Sequence, residues 1–156
     1  MPLKIIWTER FSVGDALLDA QHQKLLIILQ RASECMEDDS PRGRSLFHSI
    51  LNDVCVYTAT HFRTEEALLS QCHYPELEAH KAEHVAFLAQ ITELAFVASQ
   101  GVVLKADLHR SLFLWVSHHI LESDMEYRPY LEKKLRNPPS SGHGDAAPEG
   151  PDKNKD

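Results

Sequence analysis

The sequence predicts an all-α protein: an up-down-up-down bundle of four helices with an N-terminal arm and a disordered C-terminal tail. Three observations lead there. Four long segments carry apolar residues at steps of three and four, the repeat of a helix with one buried face. Short breaks rich in Pro, Gly or acidic residues separate them, and short connections join antiparallel neighbours. Histidines and carboxylates also recur at helical spacing on these segments, on the apolar side.

The 156 residues suffice for one domain with a real core, expected over residues 1–136, with 137–156 as the tail. Hydrophobic residues make up 43% and charged residues 25%, the balance of a soluble globular chain. The net charge is −7 and no basic cluster stands out, which argues against nucleic acid as a partner. No apolar run approaches the ~20 residues of a membrane span, and the N-terminus lacks the apolar stretch of a signal peptide. Cys35, Cys55 and Cys72 form no CxxC, which fits free thiols in a reducing compartment and a cytoplasmic location. Ten histidines are unusual for this length and are the compositional feature to follow.

In chain order, residues 1 to about 15 read as an arm whose Trp7 and Phe11 pack over a bundle end. The first helix is expected from Ala16 to Met36, with Leu17, Leu18, Leu25, Leu26, Ile28 and Leu29 around an inward His22. Ser40 followed by Pro41 is an N-cap with proline at the first helical position, so a second helix is expected from about Arg42 to Gln71. Its stripe runs Leu46, Ile50, Val54, Tyr57, His61, Glu65 and Leu68. Pro75 is expected to open a third helix that ends near Ser99, with Gly101 as its stop. His80 and His84 share its face with Phe87, Leu88 and Ile91. The fourth helix is expected from Lys105 to Tyr127. One stripe carries Leu108, Leu112, Trp115 and His119, and the next carries Phe113, Val116, Ile120 and Asp124. Pro129 is expected to break or kink the chain, with Tyr130 to Arg136 as a further turn or two. From Asn137 onward Pro, Ser, Gly, Asp and Lys dominate, a composition that does not build a core.

His61 and Glu65, and likewise His80 and His84, are four residues apart, about 400° of helix, so each pair shares a face. Any one inward polar residue is commonly a satisfied core group. Seven of them, His22, His61, Glu65, His80, His84, His119 and Asp124, would each need a separate buried partner. A metal centre satisfies them together. The set exceeds what one tetrahedral zinc can use and contains no thiolate. Five imidazoles, two bridging carboxylates and a shared hydroxide fill all but one position of two octahedral metals, and the ligand softness suits iron.

These segments resemble the hemerythrin family, especially its single-domain bacterial branch. His61-Phe62-Arg63-Thr64-Glu65-Glu66 is similar to the family's HFxxEE, His80 to His84 to its HxxxH, and Trp115 to Asp124 to its Trp-containing HxxxxD segment. Asp19-Ala20-Gln21-His22 is similar to the first-helix DxQH, and Tyr74-Pro75-Glu76-Leu77 and the Trp7 arm also fit. The likeness covers about residues 5 to 131. It implies two Fe ions in a non-heme, hydroxo- or oxo-bridged di-iron centre that binds O2 reversibly. His80, His84 and His119 would hold the closed iron, His22 and His61 the open one, and Glu65 and Asp124 would bridge. The family often carries Leu where this chain has Val116, which by the same resemblance touches the O2 pocket. His118 and His119 diverge by about 100° on a helix, so only one faces inward, and His119 is chosen because His118 shares its face with Ser111 and Asp107. His48, His73 and His109 are expected at the surface, and Cys72 as a plain free thiol.

Two other functions compete with O2 storage, delivery or sensing. One is a di-iron redox enzyme: an oxidase, peroxidase or nitric oxide reductase. Oxygen-activating bundles use more carboxylates, often in Glu-x-x-His pairs, and the histidine-rich set here argues against that. The other is an iron-handling or signalling module, which would need an output partner.

Overall fold

The computed structural model describes residues 5–136, and the expected tail from Asn137 to Asp156 lies outside them. Among the described residues every regular element is helical. Helix α1 spans Ala16–Cys35, α2 Pro41–Gln71, α3 Leu77–Ser99 and α4 Lys105–Leu114. The chain then continues through a π-helical segment, Trp115–Ser123, directly into α5, Asp124–Arg136. Consecutive helices pack on one another and α4 closes on α1, which completes the expected four-membered bundle. The last member is the composite rod of α4, π segment and α5.

Local chemistry sets the helix ends. Asp15 caps α1, its carboxylate accepting from the Leu17 and Leu18 amides. Ser40 caps α2 by accepting from Gly43 N, with Pro41 as the first helical residue. Helix α3 ends in a Schellman turn: Gly101 at φ +86° lets its own amide reach Ala98 O and the Val102 amide reach Val97 O. Helix α2 ends the same way, but with His73 at φ +54°. There His73 N bonds Ser70 O and Tyr74 N bonds Leu69 O. His73, exposed as expected, thus occupies a left-handed position that glycine usually fills. Because Cys72 to Glu76 form this turn, α3 opens at Leu77 rather than at Pro75.

The arm is pinned to α1. Asp19 accepts from Ser12 Oγ at 2.6 Å and from Val13 N at 2.8 Å, and Ile5 N bonds Gln30 Oε1. Trp7 stacks on Phe11 at 5.6 Å, and both pack against the main core.

The fourth segment departs from expectation twice. Pro129 lies within α5, where neither a break nor a restart occurs. An interior proline forfeits one ladder bond and crowds the preceding turn, about 3 kcal/mol. Contacts on both sides of it offset that cost: Tyr127 and Leu131 are buried, and Arg128 bonds Ser12 O on the arm. The π segment is the second departure. It re-phases the expected stripe, so Phe113 turns out to solvent while Val116, Ile120 and Asp124 face inward. Leu17 is likewise exposed rather than inward.

The core has two apolar parts. The larger contains Leu25, Leu29, Ile50, Val54, Phe62, Phe87, Ile91, Trp115 and Ile120, among others. The smaller contains Val13, Leu18, Leu69, Tyr74, Tyr127 and Leu131. On α1, α2 and the rod the polar residues of interest fall between these parts, so a polar layer is sealed above and below by hydrocarbon. At the other end of the bundle Gly43 is buried against the Asp38 carbonyl, where a Cβ would overlap backbone atoms. That carbonyl also receives Lys105 Nζ from the start of α4.

Candidate metal centre

The structure brings all seven inward residues into one layer. His22, His61, Glu65 and Asp124 form one group of ligand atoms lying within 4.8 Å of one another. Glu65, His80, His84 and His119 form the second, so Glu65 belongs to both. Each residue is buried, Glu65, His22, His61 and Asp124 completely. Glu65 Oε2 lies 3.0 Å from His80 Nε2 and 2.9 Å from His84 Nε2, and its Oε1 lies 3.9 Å from His61 Nε2. Asp124 also reaches both groups: Oδ2 is 3.2 Å from His22 Nε2, and Oδ1 is 3.0 Å from His119 Nε2 and 3.4 Å from His80 Nε2.

The π segment makes this convergence possible. Five residues of α-helix would leave His119 and Asp124 about 140° apart, whereas a π turn closes after five residues and stacks them. Both then point into the layer.

Hydrogen bonds on the outer side of the imidazoles decide which nitrogen faces in. His84 Nδ1 donates to Glu66 Oε1 at 2.7 Å, and His119 Nδ1 donates to Glu83 Oε2 at 2.7 Å. Ser123 Oγ holds Glu83 from behind at 2.9 Å. His61 Nδ1 donates to the Gln21 side-chain carbonyl at 2.9 Å. With their protons committed outward, neutral rings present bare Nε2 lone pairs inward. His84 Nε2 and His119 Nε2 then face each other at 3.2 Å, and both face carboxylate oxygens. Acceptors crowded this way repel unless a cation lies among them. His22 Nε2, His61 Nε2 and both Asp124 oxygens, all buried, make no hydrogen bond, the same signature of a missing positive partner. The donor set therefore fits a metal.

Burial alone would raise Glu65, but the imidazoles of His80 and His84 set against it hold it well below the usual carboxylate range. Asp124 is also lowered: burial and Glu65 push it up, and His119 and His22 outweigh them. Burial pushes His61 down to about 4, so its ring stays a neutral donor. Burial opposes charge on His22 too, but its contact with Asp124 raises it.

Aromatic rings form the wall toward the main core. Phe62 stacks flat on His84 at 3.9 Å and 3°. Trp115 stacks on His119 at 3.8 Å and 17°. Val116, the next residue, is buried in the same apolar cluster. On the opposite side Tyr127, fully buried, donates to Glu65 Oε1 at 2.5 Å. Burial lifts that phenol well above its ordinary value, and Asp124 and Glu65 add to the effect.

His118 is exposed and pairs with Glu122 on its own turn, leaving His119 as the inward neighbour. His48 is exposed, whereas His109 is half-buried. Cys35, Cys55 and Cys72 are free thiols. Sequence reasoning assigned no role to Gln21, Glu66, Glu83 or Tyr127. The first three sit beside or between the inward residues in sequence, one position off the apolar stripe, which is where an outer partner of a ligand must sit.

A helical bundle whose interior converges buried imidazoles and carboxylates on two adjoining points is of the class that could hold metal ions. The chain matches the model of the hemerythrin HHE cation binding domain over residues 13–131, and it belongs to that family. Myohemerythrin-1 of Phascolopsis gouldii is 33% identical over 131 residues, covering 84% of this chain and 98% of that protein. A bacteriohemerythrin of Stenotrophomonas maltophilia is 24% identical, covering 84% of each. A crystal structure of a hemerythrin with a leucine-to-tyrosine substitution superposes with a TM-score of 0.75 at 26% identity, covering 84% of this chain and 98% of that one. Among the described residues no helix is long and apolar enough to cross a membrane.

Proposed function

We propose that this chain binds O2 reversibly at a di-iron centre, for storage, delivery or sensing, and is not an enzyme. The observation that carries the reading is the pair of donor groups sharing Glu65, one with three imidazoles and one with two. The unequal imidazole count leaves the His22–His61 side with room for an exogenous ligand. His80, His84 and His119 would hold the closed iron, His22 and His61 the open one, and Glu65 and Asp124 would bridge. When bound, the two irons supply the electrons that hold O2. The chain supplies the rest: outer carboxylates fix the tautomers, and Phe62, Trp115 and Ile120 keep water away.

The test is optical. Ferrous protein is recorded under inert gas, after air and after evacuation. Return to the starting spectrum supports O2 carriage, whereas irreversible oxidation with turnover supports a redox enzyme. Metal analysis should give two irons per chain, and His61→Ala should lower that number, since it removes an open-iron ligand. A single zinc, with no iron retained after iron-supplemented expression, would sink the reading.

Val116 is proposed to line the O2 pocket. Val116→Leu should lengthen the life of the oxygenated state and Val116→Ser should shorten it, at unchanged iron content, because a drier apolar wall protects bound O2 from water and protons. Equal lifetimes at equal loading would remove Val116 from the pocket wall.

A further inference from the structure

The two donor groups differ in what stands behind their imidazoles as well as in their number. On the three-histidine side the outer partners of His84 and His119 are carboxylates, Glu66 and Glu83. On the two-histidine side the outer partner of His61 is the neutral amide of Gln21. The orientation of that amide follows from its neighbours. Thr64 commits its hydroxyl proton to Thr60 O at 3.0 Å, so its oxygen accepts from Gln21 Nε2 at 3.5 Å. The amide oxygen must then face His61, and the imidazole proton must sit on Nδ1.

A carboxylate behind an imidazole draws the N–H proton toward itself and makes the inward nitrogen a stronger donor. An amide does so much less. From this we infer that Gln21 is a positioning residue that keeps the His22–His61 position the weaker of two unequal metal sites, with the metal there entering last and leaving first. The inference rests on the two-metal reading above. It gives the chain a centre in which one metal is an anchor and the other is exchangeable. The Gln21–Thr64 pair adds, from outside the ligand set, to the difference that the unequal imidazole count makes.

The test titrates the metal-stripped 156-residue chain with Co2+, following the cobalt optical bands and bound equivalents by dialysis. Wild type should load in two resolved steps. Gln21→Ala should weaken the second step about 10-fold and leave the first in place, in line with the usual effect of outer-partner loss. Gln21→Glu should tighten the second step by a similar factor and bring the two together. Thr64→Val, which frees the amide to flip, should act in the direction of Gln21→Ala. Glu83→Gln should weaken the first step instead. A purely structural role for Gln21 would move both steps alike and lower the thermal midpoint of the metal-free variants. That result, a wild type that loads both metals in one step, or a second step indifferent to residue 21 would overturn the inference. Binding of only one equivalent would instead remove the two-metal reading beneath it.

Discussion

Glu65→Gln is expected to abolish binding of the second metal and weaken the first by more than about 100-fold, while the protein stays folded. Glu65 is the member common to both donor groups. Its two oxygens serve His80, His84 and Tyr127 at 3.0, 2.9 and 2.5 Å or address His61 across the layer. An amide has the same shape but only one acceptor oxygen and no charge. The oxygen can still accept from Tyr127, so the buried phenol keeps its partner and avoids an unsatisfied-group cost of about 1–3 kcal/mol. The negative charge that two adjoining cations need is gone. Outer-partner changes alone typically cost 10–100-fold in affinity, so loss of a shared inner ligand should exceed that. Metal analysis together with circular dichroism decides it. Two equivalents retained by a folded Glu65→Gln protein would show that Glu65 is not a shared ligand.

Gly43→Ala is expected to destabilise the protein by about 3 kcal/mol, a fall of roughly 6–12 °C in Tm. The sign is the informative part. Glycine to alanine within a helix ordinarily stabilises by about 1 kcal/mol. Here the added methyl would overlap the Asp38 carbonyl, and backbone must move to admit it. That carbonyl receives Lys105 Nζ, and Gly43 O accepts from Cys35 Sγ at 3.3 Å, so displacement loosens the ends of α1 and α2 and the start of α4 together. The residue lies at the far end of the bundle from the donor layer, so metal content measured well below Tm should not change. A midpoint equal to or above wild type, read by thermal unfolding of both proteins, would mean the α1–α2 connection yields freely.

The bundle was largely legible because its helices obey one arithmetic. Steps of three and four place Ile50, Val54, His61 and Glu65 on one face, and an imidazole buried among leucines demands a partner. The same arithmetic fails where the backbone leaves the α period. His119 and Asp124, five residues apart and both polar, are the visible clue to the π segment, because no uniform α-helix turns both inward. Phe113, counted inward on the α period, ends up exposed. Pro129 misleads for a different reason. Its local cost is real, but Tyr127, Leu131 and Arg128 are anchored by tertiary contacts that a local rule does not see. The outer partners were hidden because Gln21 and Glu66 stand in the motifs without a visible task and Glu83 looks like an ordinary surface acid until the ring behind each one is placed.

The π segment also acts as a frame in the sense that a message has one. Everything downstream of Ser123 is read in a phase offset by one residue, about 100° of rotation, from what α4 alone would impose. Asp124, Tyr127 and Leu131 face inward only in that phase. Side chains such as Ser117 and His118 point outward and can vary with little consequence, but the number of residues between Trp115 and Asp124 cannot. Loss of a single codon there, even one encoding an exposed residue, would swing a carboxylate out of the donor layer and the tyrosine away from Glu65. The outward positions of the segment are therefore free to change, whereas its inward residues and its length are not.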